Sequence, residues 1–401
     1  MSAIFSIQLP RRASRIVGGI AVTVVMTAGA AGLSSAPSGA TPPTQDGTVA
    51  AGYAGHWLAA QVNADGSVHD ANDHPSPGST LGTALGLASA GTEQATFNRT
   101  VTWLSDHVDA VTGTGATAAP GQIGYLLLVV DAAGRDATTF GGVNLVTRLA
   151  GTLGQFESGL YGQADPTYDG AFRQSLAILG LDAVGGAQGA GTVSWLAGQQ
   201  CGGVDLATEG GWEAYRAPAT ACTAPDLNLF SGVDTNSTAI AFEALTAAGV
   251  TPASDALGWL DRSQNATGGW GFLPGLDDDP DSTGLVVQAI VAGGQSPTSG
   301  VWVEGTHNAL SALLAFQLGC DAPAADRGAF TFPGGGQSPN ALATQQAVWG
   351  ASGHAFPLGV VTFGATPDPC APVVPTTSTS TTTVSDTVAA VPVAVTPAFT
   401  G

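Results

Sequence analysis

Lysine is absent from this 401-residue chain, whose ten basic residues are all arginine. That excludes Schiff-base chemistry on a lysine and the lysine of a phosphate-binding P-loop. Positive charge of any kind is scarce: ten arginines stand against thirty acidic residues, a formal net charge of −20. Arg11, Arg12 and Arg15 lie at the N-terminus, and without them seven arginines face thirty acids, a balance of −23. A field of that sign repels nucleic acid and anionic lipid surfaces and favours cations or neutral ligands. Aromatic residues are few as well, at 7%. The remaining composition, rich in Ala, Gly and Thr, fits a high-GC bacterial source and is long enough for one large buried core.

What is present is organised around residues 253–293. An amphipathic helix carrying Ala256, Trp259 and Leu260 leads into a glycine–aromatic turn at Gly268-Gly269-Trp270. An acidic loop follows, then a helix apolar nearly all round (Leu285, Val286, Val287, Ala289, Ile290, Val291). The first helix has a wet side and a dry stripe, whereas the second must be enclosed. Asp281 and Ser282 are predicted to cap the second helix and Gly293 to end it in a left-handed conformation. Such a unit cannot bury itself alone.

Copies recur at roughly 40 to 60 residues, the spacing of repeat architectures. Glycine-ended second helices are predicted at Thr80–Gly91, Gln122–Gly134, Ala171–Gly185, Ser237–Gly249, Ser282–Gly293 and Ala341–Gly353. Their partners are marked by Trp57-Leu58, Trp103-Leu104, Leu145–Leu149, Trp195-Leu196, Trp259-Leu260 and Leu310–Phe316. No distinct capping repeat is visible, and closing the stack removes the ends that would need one. The expected fold is all-α, an (α/α)6 toroid of six inner and six outer helices.

Trp259-Leu260, Gln264 and Gly268-Gly269-Trp270 follow the pattern aromatic-Leu-x3-Gln-x3-Gly-x-Trp. Trp195-Leu196, Gln200 and Gly210-Gly211-Trp212 repeat it with a longer insert, and Gln317 with Gly328-Ala329-Phe330 gives a weaker version. Over 50–354 the chain thus resembles the squalene cyclase/prenyltransferase repeat superfamily. The resemblance implies the toroid; it does not by itself imply an activity, because function sits in sites grafted on a fold.

In a toroid the outer-to-inner loops gather at one end, at the positive N-termini of the inner helices. The candidate ligand-binding residues arriving there are Trp270, Trp212, Tyr168, Asp169, Asp234 and Asp277. The candidate acids are Asp279 and Asp281, because Asp279-Pro280-Asp281-Ser282-Thr283 is similar to the Asp-x-Asp-Asp-Thr-Ala acid of the cyclases, with Ser282 in place of the last acid. A bland reading competes for each acid, since Asp234-Thr235-Asn236-Ser237 and Asp279-Pro280-Asp281-Ser282 both look like helix caps. With so few aromatics to stabilise carbocations, the expected role is binding of a small molecule or glycan without turnover. The alternatives are a diverged class II terpene cyclase using Asp279 and Asp281, and a glycan-active lyase or hydrolase. In the last, Asp165 or Asp169 with Tyr168 would oppose Asp277 to Asp279 with Trp270.

No cofactor is expected. His69 and His74 read as surface residues, and the loop spacing Asp65-x-Ser67-x-His69 departs from a calcium loop. No Cys lies beside a His at zinc-ligand spacing. The four cysteines read as two disulfides, Cys201 with Cys222 and Cys320 with Cys370, although the other pairings remain open. Residues 1–40 read as a signal peptide: a basic start, an apolar stretch from Ile16 to Leu33, and a small-residue cleavage site at Ser38-Gly39-Ala40. A linker (41–49) precedes the toroid, and a strap (355–371) and a Thr/Ser/Pro-rich tail (372–401) follow it. Together they predict a secreted or cell-surface protein with no membrane span after cleavage, no nucleic-acid partner, and a possible cell-wall association.

Overall fold

The structure, a computed structural model, describes residues 46–162, 170–368 and 370. The predicted signal peptide, the start of the linker and the tail lie outside the described residues, as do Asp165, Tyr168 and Asp169. In chain order the helices are α1 (Gly47–Ala60), α2 (Pro77–Ala90), α3 (Gln94–Asp106), α4 (Val108–Thr112), α5 (Pro120–Ala132), α6 (Leu145–Ala150) and α7 (Gly170–Ala183). They continue as α8 (Thr192–Gly198), α9 (Thr235–Ala247), α10 (Ala256–Arg262), α11 (Pro280–Ala292), α12 (Ala309–Leu314) and α13 (Ala341–Ala351). Helices α3 and α4 form one outer element broken at His107, so the predicted six pairs account for thirteen helices among the described residues. The first begins at Gly47, inside the predicted linker, because the Asp46 side chain caps it.

The six apolar helices close a ring. Packing runs α2 to α5, α7, α9, α11, α13 and back to α2. Outer helices sit in the grooves between inner ones: α8 touches α7 and α9, α10 touches α9 and α11, and α12 touches α11 and α13. The chain folds as an α/α toroid.

Small residues let the inner helices approach closely. A methyl group added at Gly180 would collide with the Gly124 backbone of α5, and one at Gly350 would collide with the Gly284 backbone of α11. Inner-helix starts are set by caps and prolines. Ser76, Asp234, Asp279 and Asn340 each accept the N–H of the third helical residue, and Pro77, Pro120 and Pro280 occupy first positions. The cap of α11 is therefore Asp279, two residues before the predicted one. Proline 280 lacks an N–H and already has a helical φ, so the helix starts there and Asp281 lies inside its first turn. At the other end Gly293 keeps a φ of −75°, and Gly294 is the left-handed residue.

The other end of the ring is crossed by the strap. The Phe356 N–H donates to the buried Glu243 carboxyl of α9 (2.6 Å), Val361 N–H to Ala132 O at the end of α5 (3.0 Å), and Gly364 N–H to Gly91 O after α2 (2.7 Å). Cys201 and Cys222 are bridged; Cys320 and Cys370 are also disulfide-bonded, and no described cysteine is free. Fully oxidised cysteines fit an oxidising compartment. Among the described residues no helix is long and apolar enough to cross a membrane.

Candidate functional site at the mouth of the ring

Each repeat turn is pinned by the residues that make the sequence signature. Trp270 is fully buried; its indole N–H donates to Leu260 O (2.8 Å) and its backbone N–H to Thr283 Oγ1 (3.0 Å). Trp212 does the same with Leu196 O and Thr238 Oγ1, both at 2.9 Å. Phe330 N–H takes Thr344 Oγ1 (2.9 Å). The glutamine amides tie each turn to the next repeat. Gln200 donates to Gly210 O and Ser254 O, Gln264 to Gly268 O and Trp302 O, and Gln317 to Gly328 O and Ala50 O. The last of these links the sixth pair to α1 and so fastens the ring's seam.

This regular wall fixes which residues face inward. Around the N-termini of α7, α9, α11 and α13 lies a cavity of about 310 Å³. Its lining follows a register. Two residues after each turn aromatic come Ala214, Phe272 and Phe332, and at the second position of each inner helix come Asn236, Asp281 and Leu342. Phe172, Phe230, Leu276, Asp277, Ser282 and Gln346 complete most of the wall. Phe230 and Phe272 stack face to face, with ring centres 5.2 Å apart and an interplanar angle of 8°.

The expected acids divide by position. Asp279 is buried as the cap of α11, accepting the Ser282 N–H at 2.7 Å and the Ser282 hydroxyl at 2.9 Å. Burial pushes its carboxyl up to about 6 despite those bonds. Asp281 carries the sharper problem. Its Oδ1 is sealed from solvent with no hydrogen-bond partner, and burial, then the charge of neighbouring Asp279, push its carboxyl well above the usual range. A helix N-terminus favours an anion by at most about 2 kcal/mol, less than an unpaired buried carboxylate costs. Asp281 thus faces a mainly apolar cavity with its carboxyl biased toward the protonated form.

The other expected residues separate similarly. Asp277 lines the cavity. Asp234 lies outside the lining: it caps α9, accepts the Ser237 N–H (2.6 Å), and burial pushes it up to about 7. Trp212 and Trp270, expected to meet a ligand, are fully buried in the wall, because their indole and backbone donors are consumed in holding the turns. Tyr168 and Asp169 lie outside the described residues. Phe332, which the chain order brings to the mouth, does line the cavity, whereas Phe172, Phe230, Phe272 and Leu342 line it without being among the expected contacts. Part of the signal was present, as aromatic-x-Phe at 270–272 and 330–332. Among the described residues the one grouping with metal-ligand spacing is Cys201, Glu213 and Cys222, and its sulfurs are joined in the disulfide.

No family model matches the sequence, and no curated protein matches it. Similar solved structures include a protein from Actinoplanes, at 17% identity and TM-score 0.49, covering 77% of this chain and 98% of that one. A ligand-free type II terpene cyclase from Scytonema is 14% identical at TM-score 0.47, covering 77% of this chain and 96% of its own. The same type of cyclase in complex with its product, merosterolic acid A, gives 13% identity and TM-score 0.46 over the same shares. The toroid assignment itself rests on the ring's own packing.

Proposed function

We propose that the mouth of the ring binds a neutral, largely hydrocarbon ligand and that Asp281 acts on it as a proton donor, in the manner of a type II terpene cyclase. The observation that carries this is the sealed, unpartnered Oδ1 of Asp281 in a cavity walled by four phenylalanines and two leucines. Protonating an alkene needs an acid kept protonated in a dry site, with charge stabilisation waiting for the cation. In the forward step the Asp281 O–H bond breaks, a C–H bond forms, and the ligand becomes a carbocation. Phe172, Phe230, Phe272 and Phe332 line the space that cation would occupy, and an aromatic face stabilises such a charge. The carboxylate left behind sits in the first turn of α11, where the helix N-terminus favours negative charge. Loss of a proton from the cation to a base or to water returns the ligand to neutrality, and the acid is reprotonated. The cavity volume falls at the small end of the ~300–1,000 Å³ range of ligand pockets, which suits a single prenyl chain.

Binding without turnover is the second reading, favoured by Ser282, which stands where the similar cyclase motif carries a further acid. Glycan stacking is disfavoured, since Trp270 is walled in and the exposed lining is phenylalanine and leucine. The deciding experiment incubates the protein and its Asp281→Asn variant with neutral prenyl alcohols of graded length and separates retained ligand from new cyclic products. Conversion by the parent alone supports the acid. Retention without conversion by both supports the carrier reading, and no retention by either sinks both.

A further inference from the structure

The insert of the fourth repeat is closed by the Cys201–Cys222 bridge, and Glu213 stands beside it. One carboxylate oxygen of Glu213 and the two sulfurs lie within 4.8 Å of one another. None of the three is placed by the bridge alone. Cys201 N–H donates to Gly211 O (2.9 Å) and Cys201 O accepts the Gly210 N–H (2.8 Å), both in the repeat turn. Glu213 lies on a short strand that pairs with Val233–Asp234. Thr223, the residue after Cys222, donates its N–H to the Glu213 carboxylate (2.7 Å) and accepts the Val233 N–H (3.1 Å) at its carbonyl. With the S–S bond open, these backbone bonds still hold two sulfurs and a carboxylate around one point.

We infer that the bridge is one of two closures of this insert, and that after reduction Cys201, Glu213 and Cys222 bind a zinc ion. The donors select the metal, since two thiolates with a carboxylate suit zinc better than a hard cation. Two sulfurs on one zinc stand roughly 3.8 Å apart, from bonds of about 2.3 Å at tetrahedral angles. The donors already lie within that order of distance, at most 4.8 Å. Cys201 is sealed and Cys222 only partly buried, so a dithiol attacks the Cys222 sulfur and Cys201 leaves as a thiolate. The second sulfur of the dithiol then displaces Cys222, and the reagent departs as a cyclic disulfide, two electrons poorer. Zinc takes both sulfurs as thiolates, their protons pass to solvent, and Glu213 and a water complete four ligands. Positive charge to balance that cluster is otherwise lacking. Arg216, the arginine whose charge Glu213 feels, gives its guanidinium to the carbonyls of Thr220 and Gly198. Because the insert carries Phe230 to the cavity wall, the metal keeps that wall in place when the bridge is lost. The inference is independent of the reading of Asp281.

The full chain is reduced with a phosphine, which leaves no competing dithiol, and titrated with cobalt(II) as the probe for zinc. The expected result is a sulfur-to-cobalt charge-transfer band that saturates at one equivalent, is absent from the oxidised protein and is erased by zinc. Glu213→Gln, which keeps shape and bridge, should weaken binding at least about tenfold, the lower range for losing even an indirect support of a metal. Cys222→Ser should abolish the band and Cys320→Ser should leave it unchanged. The proposal is overturned if the reduced parent shows no band, if Glu213→Gln binds as tightly as the parent, or if the band survives Cys222→Ser. Should Cys222→Ser fail to fold, Glu213→Gln decides alone, its fold verified by an unchanged melting temperature in the oxidised state.

Discussion

The fourth and fifth repeats build the same turn and spend it differently. Asp234-Thr235-Asn236-Ser237-Thr238 and Asp279-Pro280-Asp281-Ser282-Thr283 match in cap, serine donor and threonine acceptor. Asn236 and Asp281 occupy the same second helical position, and both line the cavity. One is an amide that stays neutral whatever surrounds it. The other is a carboxyl whose burial and neighbouring Asp279 raise it above its ordinary value. An isosteric pair at equivalent positions separates what the fold requires, a small polar group at the mouth, from what chemistry would require, an exchangeable proton.

Making the repeats alike is therefore the strongest test. Asp281→Asn turns the fifth turn into a copy of the fourth. Conversion of a prenyl ligand should fall by about 10²–10⁴, the usual worth of a positioned general acid, while ligand retention changes less than threefold. Equal loss of binding and conversion would instead make Asp281 a ligand contact.

The second test strikes what both repeats share. Trp270→Ala and Trp212→Ala should each cost about 3–5 kcal/mol in urea unfolding, because each empties a fully buried site and removes a buried hydrogen bond. A soluble variant with unchanged stability and lost binding would restore the ligand-contact expectation for these tryptophans.

A third test uses pH. Asp234, Asp279 and Glu243 are pushed up to about 7, 6 and 8, all chiefly by burial. The folded state then holds protons that the unfolded chain, with carboxyl values near 4, releases. Their contribution is fully present below that unfolded value and is lost as pH rises through about 6 to 8. Bonded surface carboxylates such as Asp65 and Asp136 are lowered and act oppositely in more acidic solution. Unfolding free energy should therefore peak in mildly acidic buffer and fall toward pH 9, by an amount on the order of a few kcal/mol. Asp234→Asn and Glu243→Gln keep shape and should flatten the alkaline limb; an unchanged slope would mean these carboxyls are ionised when folded.

The sequence made the architecture legible because its signals are repeated: tryptophan, glutamine and glycine recur with the same jobs in turn after turn. The mouth was legible as a place and as an acidic cap grammar. Its lining was not, because position in a register decides which side chain looks inward. Trp270 and Phe272 are two residues apart and equally aromatic, yet one is buried for structure and the other meets the cavity. Phe230 had no local signal at all, since it reaches the site from a disulfide-pinned insert by pairing with Phe272. The threonines at the fourth helical position were legible in principle, four residues after each cap at Thr80, Thr238, Thr283 and Thr344, and each accepts a turn N–H.

Those threonines provide the finest comparison. Thr238 Oγ1 accepts the Trp212 N–H and gives its own proton to Asp234 O (2.6 Å), a bond within its own helix start. Thr283 Oγ1 accepts the Trp270 N–H and donates to Trp270 O (3.0 Å), so both bonds cross to the turn. Replacing either by valine keeps shape and orphans one buried N–H, a loss of about 1–3 kcal/mol. Each valine also removes the hydroxyl's own hydrogen bond, worth about a further 0.5–1.5 kcal/mol, and in both cases the carbonyl keeps a donor: Trp270 O still accepts the Asp279 N–H (3.0 Å), and the cap carbonyl of Asp234 still accepts inside its helix. Thr283→Val and Thr238→Val should then lower unfolding free energy by similar amounts. Because both bonds lost at 283 cross to the turn, Thr283→Val should raise amide exchange at Trp270 more than its counterpart does at Trp212. Equal exchange would mean that the two turns are held alike and that the fifth repeat differs from the fourth chiefly in the carboxyl of Asp281.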